Sequence, residues 1–399
     1  MSKRICALLL AVLMLLSLSA CGASSNQTAA EGKGKEEAAE KNAAEEAAVT
    51  PSPLEQLILD AEAGDTDAMV RLGDMYRDGD GVEADMETAG SWYEKAGDAG
   101  DGNAYQWLGN MYFSVSEEQG DYGRAFEAYT KSADAGVPDG MGMIGLFYGN
   151  GYGVEQDTAK AAQWYEKAVD AGCQWAVSPL ANLYLYGRLE SGKDEEKGLD
   201  LLKKAAEAGY SGAYSTLGSY YRFQAHDYEK AEEYYLKAAE AGEVQAMTDL
   251  GSMYMYEILD YDKAEEWMIK AVEAGDRASF TRALLGDLYS GAGGSNKTDF
   301  EKAIEWYTKS MEVDDPSPYG MYQLGNIYYQ GYGGKTDYEK AFELFNRAVE
   351  LWQAQNSTDE IFAYTVEQIG DMYSYGRGVE KDKEKAAEYY KWADELNSR

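Results

Sequence analysis

An apolar residue followed by Gly or Ala, with Tyr three residues further on, recurs nine times along this chain. That recurrence limits the fold more than any other feature. The motif stands at Leu72-Gly73 with Tyr76, Leu108-Gly109 with Tyr112, and Ile144-Gly145 with Tyr148. It continues at Leu180-Ala181 with Tyr184, Leu217-Gly218 with Tyr221, and Leu250-Gly251 with Tyr254. Leu285-Gly286 with Tyr289, Leu324-Gly325 with Tyr328 and Ile369-Gly370 with Tyr373 complete it. Successive copies lie 36, 36, 36, 37, 33, 35, 39 and 45 residues apart. A length of 399 residues would ordinarily suggest two or three domains. A fixed period of this size instead points to stacked supersecondary units.

A second anchor follows each first one, as in Ala89-Gly90-Ser91-Trp92-Tyr93-Glu94-Lys95 and Ala161-Ala162-Gln163-Trp164-Tyr165-Glu166-Lys167. Both anchors have helical period. Met69, Leu72, Gly73 and Tyr76 fall at i, i+3, i+4 and i+7, one face of a helix. Six second segments end in Ala-Gly, at Gly100, Gly136, Gly172, Gly209, Gly242 and Gly275, where a left-handed residue stops a helix. An incomplete first copy runs from Leu54 to Gly64. Each unit therefore reads as helix A, a turn, helix B and a Gly stop. A glycine inside helix A costs about 1 kcal/mol against alanine, so its recurrence implies close helix packing. The recurrent Trp-Tyr pairs of helix B read as core.

The pattern resembles the Sel-1-like repeat family, a branch of the tetratricopeptide-like superfamily. The third repeat carries it most fully: Leu146-Phe147-Tyr148-Gly149-Asn150-Gly151-Tyr152-Gly153-Val154, Asp157, Lys160-Ala161 and Trp164 to Ala168. The first and last repeats keep the loop as Gly79-Asp80-Gly81-Val82 and Gly376-Arg377-Gly378-Val379. Repeats two, five and six lack it and have shorter loops. The resemblance implies an all-α, right-handed α/α superhelical solenoid of nine helix-turn-helix repeats, with helix A on the concave side. The repeats run at about 66–100, 101–136, 137–172, 173–209, 210–242, 243–275, 276–314, 315–352 and 353–399.

Residues 1–20 read as a signal peptide, with Lys3 and Arg4 before an apolar run from Ile5 to Leu16. Leu18-Ser19-Ala20-Cys21 resembles the bacterial lipobox, which implies a diacylglyceryl group on Cys21 and a place on the extracytoplasmic face of the cell membrane. Two acyl chains give stable anchoring. Residues 21–53 are rich in Ala, Glu and Lys and hold no bulky core former before Val49, so they read as a disordered tether, and 54–399 as the solenoid.

The formal charge of −35 repels nucleic acid and anionic lipid headgroups. Catalysis and metal binding find little support. The one histidine, His226, lies in a turn, which leaves no multi-His metal site. Asp78-Gly79-Asp80-Gly81 with Asp85 only faintly resembles a calcium loop, because Ala89 stands where the closing Glu belongs. Cys173 has no disulfide partner and reads as a small residue at the start of a helix A. No catalytic residue, metal or cofactor beyond the lipid is expected.

By the superfamily's geometry, the partner-facing positions lie six and three residues before the helix A glycine and one, four and five after it. Repeats two and four supply Gln106, Asn110 and Phe113, then Asn182 and Tyr186. Repeats five and six supply Ser219, Arg222, Phe223, Met255 and Tyr256. Repeats eight and nine supply Tyr319, Tyr322, Asn326, Tyr329, Tyr364 and Tyr375. Amphipathic aromatics beside adaptable polar groups suit recognition surfaces. The expected function is a membrane-anchored scaffold that binds a protein or peptide. The alternative is an envelope lipoprotein that binds glycan or peptidoglycan, with or without hydrolytic activity.

Overall fold

A computed structural model describes residues 51–399 apart from Gly120, Lys335 and Arg399. The signal peptide, Cys21 and nearly all of the tether lie outside the described residues. The chain divides into two units, residues 1–63 and 64–399. In the first, helix α1 (Pro53–Glu62) opens on Ser52, whose side chain and Glu55 cap each other reciprocally.

The second unit is a run of nine helical hairpins. Their A helices are α2 (Thr66–Asp78), α4 (Gly102–Gln119), α6 (Pro138–Asn150), α8 (Val177–Leu185), α10 (Ser211–Tyr220), α12 (Val244–Met253), α14 (Ser279–Ser290), α16 (Pro318–Gln330) and α18 (Glu360–Tyr375). Their B helices are α3 (Met86–Asp98), α5 (Tyr122–Asp134), α7 (Thr158–Asp170), α9 (Glu195–Glu207), α11 (Tyr228–Glu240), α13 (Tyr261–Glu273), α15 (Phe300–Met311), α17 (Tyr338–Ala354) and α19 (Lys383–Asn397). Each helix packs on the next in chain order, and α8 also touches α10 as α14 touches α16. One hairpin cannot cover its own apolar stripe, so neighbours share a continuous interior. This is a helical repeat solenoid. Among the described residues there is no strand, and no helix is long and apolar enough to cross a membrane.

Local chemistry sets each helix end. All nine B helices start at an aspartate whose carboxylate accepts backbone N–H groups of the first turn, from Asp85 and Asp121 to Asp337 and Asp382. The same aspartates close the loop, because the Asp85 N–H donates to the Tyr76 carbonyl at 2.7 Å and the Asp299 N–H to the Tyr289 carbonyl at 2.7 Å. The six Ala-Gly stops all hold glycine at positive φ, between 86° at Gly136 and 111° at Gly100.

The helix A glycine has a specific reason. The ring of a buried helix B residue presses on it, so a Cβ on Gly73, Gly109 or Gly218 would stand 2.6 Å from Tyr93, Tyr129 or Tyr235. Of each Trp-Tyr pair, only the tyrosine is core: Tyr93, Tyr165 and Tyr307 are buried, whereas Trp92, Trp164 and Trp306 are half-buried. Those tryptophans lie midway along helix B under lysines one turn on, with Lys95 3.8 Å and Lys167 4.0 Å from the ring centres. Trp164 and Trp306 pack against the core from its edge, so the expectation that the pairs are mostly core holds for the tyrosines fully and for the tryptophans in part.

Candidate partner-binding face

The glycine lets the helix B tyrosine reach past helix A to the residue one position further on. Tyr93 donates to Asp74 at 2.7 Å, Tyr129 to Asn110 at 2.8 Å, and Tyr390 to Asp371 at 2.7 Å. Tyr235 and Ser219 share a hydrogen bond of 3.0 Å. Thus Asn110 and Ser219, both expected on the partner-facing side, also tie helix B to helix A.

In repeat seven this position holds Asp287, which is 2% exposed. Its carboxylate accepts from Tyr307 at 2.6 Å, Tyr319 at 3.1 Å and Tyr256 at 3.4 Å, and among the described residues no cation pairs with it. Three successive repeats therefore converge on one buried acid. Burial pushes its pKa up to about 6, against the opposing effect of the three hydroxyl donors. Gln323 steadies Tyr319 with a hydrogen bond of 2.6 Å. Asp287 was not among the expected site residues. The same positional rule applied to repeat seven would have found it, together with the exposed Phe280.

The remaining candidates separate by position. The fourth residue after the glycine seals the junction with the next repeat. Phe113 packs its ring 5.5 Å from Phe147 and 5.7 Å from Tyr152. Arg222 is buried, forks onto Glu257 at 3.0 and 2.9 Å, and donates to Ser252 at 2.8 Å. Met255 is fully buried and meets Gly293 of repeat seven. Tyr329 bonds Arg377 of repeat nine. Arg222 and Met255 are therefore withdrawn from the surface, because in their repeats helix A ends in a widened π-turn, Tyr221–Ala225 and Tyr254–Ile258, that carries this position inward.

The fifth residue faces solvent. Tyr186 is 39%, Phe223 53%, Tyr256 44% and Tyr375 63% exposed. Tyr364 is exposed as well. Tyr322 is half-buried against Phe345, Trp352 and Tyr364. Gln106, Asn182, Asn326 and Tyr319 are half-buried, with Gln106 3.5 Å from Asp139. Arg377 sits among the rings of Tyr329, Tyr338 and Tyr375 at 5.5, 5.7 and 5.1 Å.

The residues considered for chemistry are engaged elsewhere. Cys173 is buried, donates to Asp139 at 3.2 Å, and has its thiol pushed up to about 12 by burial and then by that carboxylate. Asp78 pairs with Arg77 at 2.7 Å, and Asp85 caps α3. His226 is exposed with φ of 51°. Among the described residues no group of three His, Cys, Asp or Glu side chains is placed to hold a metal ion.

Eight segments match the Sel1 repeat: residues 66–101, 138–173, 174–210, 217–243, 244–276, 282–312, 318–351 and 367–393. Together they span well over half of the chain. The protein belongs to the Sel1 repeat family. Such repeats are typically non-enzymatic and generally form protein–protein interaction scaffolds. Only the second hairpin of this Sel1-repeat chain, α4 with α5, falls outside the matched segments, and it keeps the same Gly109–Tyr129 contact. No curated protein matches the chain. Among solved structures it is similar to a protective antigen present in uropathogenic Escherichia coli strains displaying an SLR fold, at 27% identity over 86% of this chain and 87% of that one, with a TM-score of 0.48. It is also similar to a Sel1 repeat protein from Oxalobacter formigenes, at 24% identity over 72% and 98% of the two chains, with a TM-score of 0.44. An immunity protein from Pseudomonas aeruginosa matches at 22% identity over 52% and 80%, with a TM-score of 0.39.

Proposed function

We propose that this Sel1-repeat protein is a membrane-anchored, extracytoplasmic scaffold that holds a protein or peptide partner on its helix A face. The lipid on Cys21 and the signal peptide rest on the sequence of residues 1–21, as does the extracytoplasmic location. The observation that carries the binding role is the set of exposed aromatics at one helix A position, Tyr186, Phe223, Tyr256 and Tyr375. Large aromatic side chains left partly in water at the equivalent point of repeats four, five, six and nine need a covering surface. A negative field of this size favours a basic partner and excludes nucleic acid.

A photoreactive phenylalanine analogue at Phe223 should give a discrete crosslinked adduct in intact cells. The same group at the exposed Glu233 on helix B should give none. Equal labelling from both sites, or labelling only from helix B, would contradict the assignment.

A further inference from the structure

Repeats seven and eight enclose a cleft of about 220 Å³. Ser290 and Asn326 in its wall stand four residues and one residue after a helix A glycine, two of the places expected to face a partner. The cleft is smaller than the roughly 300–1,000 Å³ of a site for a drug-sized molecule, so it fits a single side chain. Tyr307 forms its buried floor. Behind that floor lies Asp287, charged above about pH 6 and held by three neutral hydroxyls. The hydrogens of the wall run toward this acid. Tyr307 donates to Asp287 at 2.6 Å, so it accepts from Ser290, 3.2 Å away. The other acceptor open to Ser290 is the Asp287 backbone carbonyl at 3.1 Å, again inward. Gln323, also in the wall, gives an amide hydrogen to Tyr319 at 2.6 Å, and Tyr319 gives its own to Asp287 at 3.1 Å. Ser290 and Gln323 therefore turn oxygen lone pairs to the cleft, and the amide of Asn326 adds another. Chains of hydrogen bonds that end on a carboxylate polarise one another and strengthen those acceptors. At one side stands the stacked pair Phe300 and Tyr332, with ring centres 5.1 Å apart and planes at 12°, and Tyr332 is exposed. Among the described residues no Lys or Arg lines the cleft.

We infer that this cleft takes the guanidinium group of an arginine belonging to the protein partner. The inference rests on the scaffold reading above and names a group by which the partner is held. Three features select the occupant. A buried carboxylate that meets only neutral donors attracts a cation, and the water-free wall in between screens that attraction weakly. Oxygen acceptors whose own hydrogens point inward suit a group that only donates, and a guanidinium carries five N–H donors and no acceptor. A sugar hydroxyl, by contrast, calls for donors as well, and the Ser290 and Tyr307 protons are already committed. The flat Tyr332 ring then separates arginine from lysine. A guanidinium is planar, weakly hydrated and stacks on aromatic faces, whereas an ammonium is a compact, strongly hydrated point charge. Asp287 does not line the cleft. It is a positioning residue that acts through Tyr307 with Ser290 and through Tyr319 with Gln323. The excess of 71 acidic over 36 basic residues steers a basic partner toward the whole chain.

The test is a fluorescence anisotropy titration of the full chain, at about pH 7.5 and low salt, with a labelled Gly-Gly-Arg-Gly-Gly peptide. The same peptide is run with citrulline, the neutral isostere of arginine, and with lysine in the central place. Arginine should bind at least tenfold more tightly than citrulline and at least threefold more tightly than lysine. Asp287→Asn should bring arginine and citrulline within about twofold of each other and leave the citrulline Kd unchanged, whereas a merely structural loss would weaken both. Tyr332→Ala should raise the arginine Kd at least fivefold. Tyr364→Ala, an exposed aromatic away from the cleft, should leave it unchanged. Equal binding of arginine and citrulline by the native chain, equal or tighter binding of lysine, or a native preference kept by Asp287→Asn overturns the inference. So does tighter binding of an N-acetylglucosamine trimer, which would make this a glycan cleft. If the arginine preference is absent but the Phe223 crosslink to a cellular partner persists, the cleft assignment falls and the scaffold reading stands. If the crosslink is absent as well, both fall.

Discussion

Gly218→Ala is expected to destabilise the solenoid by about 2 kcal/mol, although alanine is the better helix former. The new methyl would lie 2.6 Å from the Tyr235 ring, which is fully buried and cannot swing away. Overpacking of this kind costs about 1–3 kcal/mol or more, and displacing the ring also threatens the Tyr235–Ser219 hydrogen bond. The gain in helix propensity, about 1 kcal/mol, offsets only part of that. Gly149→Ala is the matched control. It too lies inside a helix A, but its Cβ would meet only Ala161 at 3.7 Å and the Tyr165 hydroxyl at 3.9 Å, ordinary contacts. That change should stabilise by about 0.5–1 kcal/mol. Urea titrations followed by circular dichroism should show the two midpoints moving in opposite directions. Movement in the same direction would mean that the ring contact is not what keeps alanine out of the motif.

The largest pH-dependent effect is expected at Asp287. Its pKa is about 6 in the folded chain against 3.8 for an ordinary aspartate, so the folded state holds a proton that the unfolded state has lost. A raised folded pKa gives stability that is complete below about pH 4 and is lost as pH climbs through 6. A shift of this size corresponds to about 3 kcal/mol. Asp287→Asn removes the titrating proton and can keep an oxygen acceptor for Tyr307 and Tyr319. Relative to the native chain, the variant should therefore gain about 2.4 kcal/mol between pH 4 and pH 7, whatever constant offset the amide introduces. The comparison must be made as a difference, because aspartates such as Asp85 and Asp157, lowered by their backbone N–H donors, contribute the opposite slope. A difference that is flat with pH would show that Asp287 is not the buried acid described here.

The hairpins were legible in the sequence because each repeats the same two anchors and the same glycine stop. The need for the helix A glycine was legible too, but not the ring that enforces it. That side chain comes from a residue 17 to 21 positions later, and tyrosine, phenylalanine and methionine fill the role in different repeats, as Tyr235, Phe345 and Met268 do. The face was legible only by position. Which positions reach water depends on how helix A ends, and the short loops of repeats five and six end it in π-turns that bury Arg222 and Met255 and expose Phe223 and Tyr256. No local pattern announces that exchange. Asp287 was reachable by position, one residue after Gly286, but its character was not: a single aspartate in an acidic chain does not read as a buried acid until Tyr256, Tyr307 and Tyr319, from three repeats, are seen to close on it.

The most direct measurement is amide hydrogen exchange of the full chain with and without the partner captured at Phe223. The scaffold account predicts added protection in the helix A segments 182–186, 219–225 and 252–258, with the exposed faces of α9, α11 and α13 unchanged. Protection confined to those B helices, or spread evenly over the nine repeats, would contradict it.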